Sequence, residues 1–276
     1  MRTALVVHPH PDDEVFATGA ATIALADAGW RVVLHVATGG EAAESRALGE
    51  VDARTLRTAK LGRSCELLGI AEWGWLSEPG RWVDRGGVGP GTLAAAGSRV
   101  VADAVRQVLT VLQPQLVVTV GVDGLTGHPD HVAVGAAVRE AAAGEFDVLG
   151  ARLRAVDVAA ARAELERLVA QADRSRPGKP RTVGSGRVVG VASGVELEEV
   201  RAAQDDVRRA SAVLRRQQAL DVYQAGLGTL PLEQVVEASE RLGDSVLLRA
   251  ILDRGRWDRD LFARTPAVRA TSVEGQ

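Results

Sequence analysis

The feature that most constrains this chain is a short apolar stretch that runs directly into a cluster of histidines and carboxylates. Residues 5–7 (Leu-Val-Val) favour a buried strand, and residues 8–14 continue as His-Pro-His-Pro-Asp-Asp-Glu. In sheets of parallel strands, ligands bind at the carboxyl ends of the strands. The sequence therefore predicts a reactive site in residues 8–14.

The spacing of His10 and Asp13 suits two ligands of one metal ion. Pro11 lies between them, and because its ring fixes φ and favours a tight turn, both side chains can converge on one point. Asp12 adjoins a ligand but points differently. Its carboxylate is therefore free to act as a general base on whatever the metal holds.

A second motif of the same kind lies far along the chain. Residues 116–120 (LVVTV) predict another strand, residues 127–131 are Gly-His-Pro-Asp-His, and residues 132–143 predict a helix. A His/Asp/His ligand set suits zinc, and three protein ligands leave a position open for water, as in catalytic zinc sites. The alternative is that both strings are ordinary turns, but average residue usage rarely produces two related strings of this kind in one chain.

With both motifs in view, the chain resembles the LmbE/PIG-L family of zinc-dependent de-N-acetylases over about its first 145 residues. That family includes the mycothiol-pathway deacetylase, a mycothiol-conjugate amidase and deacetylases of glycosylated antibiotics. The resemblance implies zinc ligands at His10, Asp13 and His131. It also implies a general base at Asp12, a group that stabilises the tetrahedral intermediate at His128, and a carboxylate that supports the metal ligands at Asp130.

The same resemblance implies three residues that bind substrate, which are Glu41, Arg57 and Glu78. Lys60 stands where relatives usually have the glutamate that pairs with this arginine, so the orientation of Arg57 is left open. Residues 71–98 are irregular and contain three tryptophans. Those rings could stack on a sugar or simply anchor the loop.

Alternating helix and strand predictions define the fold class as α/β. We expect a Rossmann-like three-layer sandwich with a mainly parallel sheet and helices on both faces. The predicted helices cover residues 15–28, 42–69 and 97–112, and a further strand covers residues 31–37. A length of 276 residues with 46% hydrophobic composition suits one domain over residues 1–276. Residues 1–145 form its motif-bearing core and residues 146–276 an elaborated, mainly helical C-terminal part.

The C-terminal part offers no third catalytic motif. The predictions there are a helix at 156–171, a mobile loop at 173–187, a strand at 187–195, a long charged helix with a solvated face at 196–223, one or two helices at 232–252, and a frayed end. Whether the loop at 173–187 or the loop at 71–98 covers the site is left open.

Composition excludes several classes of partner. A net charge of −3 gives no electrostatic reason to bind nucleic acid or an anionic membrane. A single cysteine, Cys65, excludes an internal disulfide, and no apolar stretch approaches the ~20 residues of a membrane helix. We expect a cytoplasmic protein whose partner is a small molecule, and the sequence leaves a homo-oligomer open. His8 and His35 are expected to be core residues rather than ligands.

The expected activity is zinc-dependent hydrolysis of an N-acyl, most simply N-acetyl, amino sugar that is free or carried on a larger natural-product glycoside. Zinc would acidify a bound water, Asp12 would take its proton, and zinc and His128 would hold the oxyanion. The alternatives are an amidase acting on a thiol conjugate and a non-catalytic zinc/sugar-binding module. A nucleotide-binding site is disfavoured because no Gly-x-Gly-x-x-Gly follows the first strand. The sequence does not distinguish zinc from iron.

The mycothiol precursor itself is not the expected substrate. Leu125 stands where the deacetylase of that pathway has a tyrosine. We therefore expect slow hydrolysis of small N-acetylglucosamine derivatives and faster hydrolysis of a larger glycoside.

Overall fold

The computed structural model describes residues 1–44, 47–175, 182–183, 188, 190–191, 196–239, 241–255 and 257–267. Seven of the strands in this part form one central sheet. In chain order they are β1 (Thr3–His8), β2 (Arg31–Val36), β3 (Glu72–Trp75), β4 (Leu116–Val120), β5 (Val148–Arg152), β7 (Glu198–Arg201) and β9 (Arg259–Thr265). Two short strands, β6 (Thr182–Val183) and β8 (Arg241–Leu242), pair with each other in parallel.

Helices cover both faces of the central sheet. They are α1 (Asp13–Phe16), α2 (Gly19–Asp27), α3 (Glu50–Leu68), α4 (Ser98–Leu112), α5 (Gly124–Gly127), α6 (Pro129–Ala142), α7 (Ala155–Ser175), α8 (Asp206–Tyr223), α9 (Leu232–Ala238) and α10 (Asp244–Asp253). A 3₁₀ turn, Glu41–Ala43, follows β2. None of the helices in the described ranges has the length and apolar character needed to cross a membrane.

The strand order places the site. It runs β3-β2-β1-β4-β5-β9-β7, with β1 parallel to both β2 and β4. The chain builds outward from β1 on one side through β2 and β3, and then returns to build the other side from β4. A reversal of this kind leaves a crevice at the carboxyl ends of the two central strands, where ligands bind in open α/β sheets. The expected α/β fold with a mainly parallel sheet is confirmed.

Successive side chains of β1 point to opposite faces of the sheet and pack into two separate hydrophobic clusters. Val6 faces a large cluster that includes residues of α2, α3, α7, α8 and α10, while Leu5 and Val7 face a smaller cluster formed with α4 and α6. All three side chains are fully buried. The larger layer thus contains side chains from both halves of the chain.

Several predicted elements differ from the structure. The helix predicted from residue 42 begins at Glu50, and the helix predicted over residues 15–28 is interrupted between α1 and α2. The irregular stretch 71–98 contains β3 (Glu-Trp-Gly-Trp), which was missed because it is only four residues long and a glycine within it weakens the strand signal. Strands β5 and β9 were not predicted at all.

The charged helix predicted over residues 196–223 is wrong at its start, where residues 198–201 form the edge strand β7. Its glutamates pair with arginines of the neighbouring strand: Glu198 with Arg264 at 2.7 Å and Glu199 with Arg259 at 3.4 Å. Opposite charges across two antiparallel strands stabilise the sheet, and charged edges discourage pairing with other chains. A high density of charge was therefore mistaken for a solvated helix.

Most of the strand predicted at 187–195, most of the loop predicted at 173–187 and residues 268–276 of the predicted frayed end lie outside the described residues. Of the predicted loop, residues 173–175 belong to α7 and residues 182–183 form β6.

Candidate metal centre

The two sequence motifs meet because β1 and β4 are neighbours. Residues 4–6 of β1 pair with residues 116–118 of β4, and the Thr119 hydroxyl donates to the Val7 carbonyl at 2.9 Å. The loop after β1 and the loop after β4 therefore leave the sheet side by side. His10 and Asp13 come from the first loop and the start of α1, and His131 comes from the first turn of α6.

The three predicted ligands lie at the spacing that a tetrahedral metal ion needs. His10 Nδ1 is 3.2 Å from His131 Nε2, Asp13 Oδ1 is 3.3 Å from His131 Nε2, and Asp13 Oδ2 is 3.5 Å from His10 Nδ1. Zinc bonds of about 2.0–2.1 Å place neighbouring ligand atoms of a tetrahedron about 3.3–3.4 Å apart. The donor types therefore fit zinc, and the spacings are near those of a tetrahedron, with one Asp13 oxygen facing each histidine.

Hydrogen bonds on the far side of each ring orient the two histidines. His131 Nδ1 donates to the Gly124 carbonyl at 2.9 Å, which leaves the lone pair of Nε2 free. His10 Nε2 lies 3.3 Å from Asp130 Oδ2, so a proton on Nε2 leaves Nδ1 free in the same way. The other oxygen of Asp130 accepts from the Ala94 amide at 2.9 Å. Partners of this kind fix the tautomer and the ring orientation of metal-binding histidines.

Two other groups of side chains in this cluster are close enough to hold a metal. They are His10 with His128 and His131, and His10 with Asp84 and Asp130. His128 Nδ1 accepts a hydrogen bond from the Asp130 amide at 3.2 Å, so in the neutral ring Nε2 bears the proton. A protonated nitrogen donates and cannot bind a metal. We therefore favour Asp13 over His128 as the third ligand, and His128 as a donor beside it.

The surroundings favour the metal-binding protonation states of His131 and Asp13 but not of His10. Against its own burial, the pKa of His10 is raised well above its usual value by Asp84, Asp13 and Asp130, so a metal ion has to displace a proton from this ring. Burial lowers the pKa of His131 to about 4, so its ring is neutral. Against its own burial, the pKa of Asp13 is held well below its usual range by His131 and His10. Burial also lowers the pKa of His128. A neutral imidazole and an ionised carboxylate are the forms that bind metal.

Asp12, the predicted base, lies at the edge of the cluster and is 28% exposed, more than any of the ligands. Its Oδ2 accepts from Arg57 Nη2 at 2.8 Å, and Arg57 also donates to the Pro11 carbonyl. The backbone of Asp12 has φ of 100°, which is rare outside glycine and marks local backbone strain at this residue. Enclosure raises the pKa of Asp12 to about 6, and Arg57 opposes this shift.

The predicted substrate residues lie in different surroundings. Arg57 is buried against Asp12 and the ring of Tyr223. Glu41 is fully buried and accepts from Arg54 Nε at 2.8 Å and from the Asp84 amide at 2.9 Å, so both of its oxygens are engaged within the protein. Glu78 is exposed in the turn after β3. The roles assigned to these three residues stay predictions.

The acidic residue that enters the site from the 71–98 stretch is Asp84, which the sequence did not single out. Its Oδ2 is 3.9 Å from His10 Nε2 and its Oδ1 is 4.0 Å from His128 Nε2, and the residue is 7% exposed. Trp82 and Val83 just before it are buried and anchor the loop. An acidic residue next to two anchoring apolar residues was the feature that could have identified it.

The remaining histidines behave as expected of core residues. His8 is fully buried, and its Nε2 lies 2.9 Å from the Thr18 hydroxyl. His35 lies within β2, with Nδ1 2.9 Å from the Trp75 carbonyl.

Fold and site together define the class: an α/β protein with a candidate metal centre at the switch point of a mainly parallel sheet. The family model described as PIG-L, GlcNAc-PI de-N-acetylase, matches residues 5–142, which is half of the 276 residues. The chain belongs to the PIG-L family, and the resemblance seen in the two motifs is confirmed.

Three similar proteins illustrate the range of this fold. The chain is 39% identical over 153 residues to the 1D-myo-inositol 2-acetamido-2-deoxy-alpha-D-glucopyranoside deacetylase of Kineococcus radiotolerans; the match covers 48% of this chain and 42% of that relative, so it spans less than half of the relative's length. The zinc-inhibited form of teicoplanin deacetylase has a similar structure, with a TM-score of 0.57, 17% identity and coverage of 95% and 98% of the two chains. So does the 4-carboxy-2-hydroxymuconate hydratase of Pseudomonas putida, with a TM-score of 0.54, 17% identity and 99% coverage of both chains.

Proposed function

We propose that this protein is a zinc-dependent hydrolase that removes an N-acyl group, most simply N-acetyl, from an amino sugar that is free or carried on a larger glycoside. The observation that supports this most is the arrangement of His10, Asp13 and His131. The two ring nitrogens lie 3.2 Å apart, and Asp13 places one oxygen 3.3 Å from His131 Nε2 and the other 3.5 Å from His10 Nδ1. The relative from Kineococcus radiotolerans, named as a deacetylase of an acetamido sugar, supports the choice of substrate.

Zinc in this site would act as a Lewis acid that lowers the pKa of water and polarises a carbonyl. The protein's own groups supply the proton transfers. Asp12 is the carboxylate that takes a proton from the attacking water, because it is half-buried and its other interactions, with Arg57, leave one oxygen available. Once protonated, it can return the proton to the leaving amine.

The oxygen that becomes negative on the acyl carbon needs a hydrogen-bond donor. His128 offers Nε2–H, because its Nδ1 accepts from the Asp130 amide. A donor that is already oriented in the free enzyme stabilises developing charge without a cost of reorganisation. Asp84 lies beside both His10 and His128, where its carboxylate could accept from sugar hydroxyls.

A screen of N-acyl amino sugars and glycosylated natural products tests the proposal. Zinc-loaded protein is incubated with each compound, and mass spectrometry looks for loss of an acyl mass; the matched control is the Asp12→Asn variant. Loss of acyl mass with the wild type alone supports the proposal. Turnover confined to S-substituted thiol conjugates would instead identify the amidase, and binding with no turnover would identify a sugar-binding module.

A hydratase is the second candidate, because the Pseudomonas putida hydratase shares the fold over nearly its whole length. The two activities differ in mass balance. A hydratase adds the mass of water to an unsaturated acid, whereas a deacylase splits an amide. Including unsaturated carboxylic acids in the same screen separates them.

A further inference from the structure

We infer that helix α8, from the C-terminal part, clamps the short helix α1 that holds the metal ligand Asp13, and that Tyr223 and Arg216 are the positioning residues of this clamp. Neither residue belongs to a motif. The contacts between α8 and α1 are independent of any metal, whereas their effect on zinc binding rests on the proposed function.

Helix α1 needs outside support. It has four residues, Asp13–Phe16, and its N-cap Asp12 has no side-chain capping bond. Helices of this length are not stable alone, and their last carbonyls lack partners within the helix. Yet α1 begins with one of the three proposed ligands and directly follows the proposed base. Its position relative to His131 therefore depends on what surrounds it.

Tyr223 supports the first turn. Its hydroxyl donates to Glu14 Oε1 at 2.7 Å, and Ser64 of α3 donates to the same oxygen at 2.6 Å. Glu14 Oε2 accepts from the Asp12 amide at 2.9 Å. The Tyr223 ring also lies 5.2 Å from the Arg57 guanidinium, which is the partner of the Asp12 carboxylate. Tyr223 thus supports Asp12 in two ways. Glu14 connects Tyr223 to the Asp12 backbone amide, and Arg57 connects it to the Asp12 carboxylate.

Arg216 supports the last turn of α1. It is two turns before Tyr223 on the same helix and is fully buried. Its Nε donates to the Val15 carbonyl at 2.8 Å and its Nη2 to the Phe16 carbonyl at 3.1 Å, which are carbonyls that a helix end leaves unpaired. Asp260 of β9 balances the charge at 2.8 Å.

The Arg216 side chain packs directly against the backbone of Gly19 as it extends toward α1. A Cβ at Gly19 would lie 2.7 Å from Arg216 Nε, so the first residue of α2 has to be small for the guanidinium to reach α1. Arg216 also donates to the Trp257 carbonyl at 3.2 Å. The bonds from α8 therefore span both ends of α1, and both anchor residues lie inside the protein rather than on a solvated face.

Tyr223→Phe is the decisive variant, because it keeps the ring and removes only the hydroxyl. Arg216→Lys is the second variant, since it keeps the charge beside Asp260 and loses the forked bonds to α1. The matched control is Arg215→Gln: Arg215 neighbours Arg216 on α8 but donates to the Leu67 carbonyl and to Asp27, away from α1.

Amide hydrogen exchange of metal-free protein is measured on the peptide that covers residues 10–18. Exchange in this peptide should be faster in Tyr223→Phe and Arg216→Lys and unchanged in Arg215→Gln. Zinc affinity is then measured by competition with a chromophoric chelator, and Tyr223→Phe should bind zinc about tenfold more weakly, as is typical when a group that supports metal ligands is lost.

Unchanged exchange in Tyr223→Phe would overturn the clamp. Faster exchange with wild-type zinc affinity would overturn its role in positioning the ligand. Absence of zinc binding by the wild-type protein would refute the proposed function, whereas the exchange result would still decide whether α8 holds α1.

Discussion

The two halves of this molecule contribute to the site in different ways. In the first 145 residues the proposed metal ligands, base and oxyanion donor are clustered in two short strings, His10–Asp13 and His128–His131. In the remainder, the contributing side chains are single residues whose partners lie about 200 positions away, as with Arg216 and the Val15 carbonyl. Chemistry is therefore local in the sequence, while the support that holds it in place is not.

The difference teaches where a sequence is informative. Metal binding needs several ligands of particular types within a few ångströms, and a turn after a strand supplies them from neighbouring residues. Support for a helix end needs only one donor at the right place, and any element packed nearby can supply it. Residues that support a helix end in this way form no sequence motif that could be recognised.

The largest effect is expected at the base in the N-terminal half. Asp12→Asn should lower the rate by at least about 10²-fold while zinc is retained, because the metal ligands are untouched and the proton acceptor is lost. The measurement is the rate per zinc-loaded chain on a substrate from the screen. Wild-type turnover by this variant would place the base elsewhere.

A core substitution in the C-terminal half tests whether the two halves fold as a unit. Phe262 on β9 is fully buried in the larger hydrophobic cluster, so Phe262→Ala should lower the free energy of unfolding by about 3–5 kcal/mol. Urea unfolding should show one transition in both proteins. Arg264→Ala on the same strand is the control and should cost about 1 kcal/mol or less, because its ion pairs are exposed. Two separate transitions would mean that residues 146–276 fold apart from the motif-bearing core.

The structure favours Asp84 as the acidic residue that binds substrate, whereas the sequence favours Glu78, and substitutions of the two residues test which is right. Asp84→Asn should raise KM about tenfold or more, since a buried charged hydrogen-bond partner is lost, and Glu78→Gln should leave KM unchanged. Steady-state kinetics on one amino sugar suffices. The reverse ranking would restore Glu78 as the residue that contacts the sugar.

The smallest effect concerns Cys65, which lies in the cluster shared by α3 and α8. The thiol is 4% exposed, and burial raises its pKa well above the usual value. Native protein should therefore not react with a thiol reagent at neutral pH, and labelling should appear only as urea unfolds the chain. Rapid labelling of the native protein would mean that α8 separates readily from α3.

The sequence predicted much of the fold because its central strands are strongly apolar. The strand at 116–120 and the C-terminal end of the helix before Gly69 were located correctly, since Gly69 adopts φ of 80° as a helix terminator. It missed β5 and β9, and it mistook β7 for a helix because the pairing that makes Glu198 and Arg264 neighbours joins residues 66 positions apart.

The site was predictable to the extent that its residues are contiguous. His10, Asp12, Asp13, His128, Asp130 and His131 were all named from two strings, and the structure brings them together. Asp84, Glu14 and Tyr223 were not named. Their partners are ones that only the folded chain supplies, such as the Glu14 carboxylate that accepts from the Tyr223 hydroxyl 209 positions away.

Zinc content, measured by elemental analysis of the purified protein, tests the central assignment most directly. The wild type should hold zinc, and His10→Ala, Asp13→Ala and His131→Ala should each lose it, because each removes one of three protein bonds. His128→Ala should keep zinc, since its free nitrogen bears a proton, and so should the core control His35→Gln. Full zinc occupancy in the first three variants, or loss of zinc in His128→Ala with retention in Asp13→Ala, would contradict the proposed ligand set.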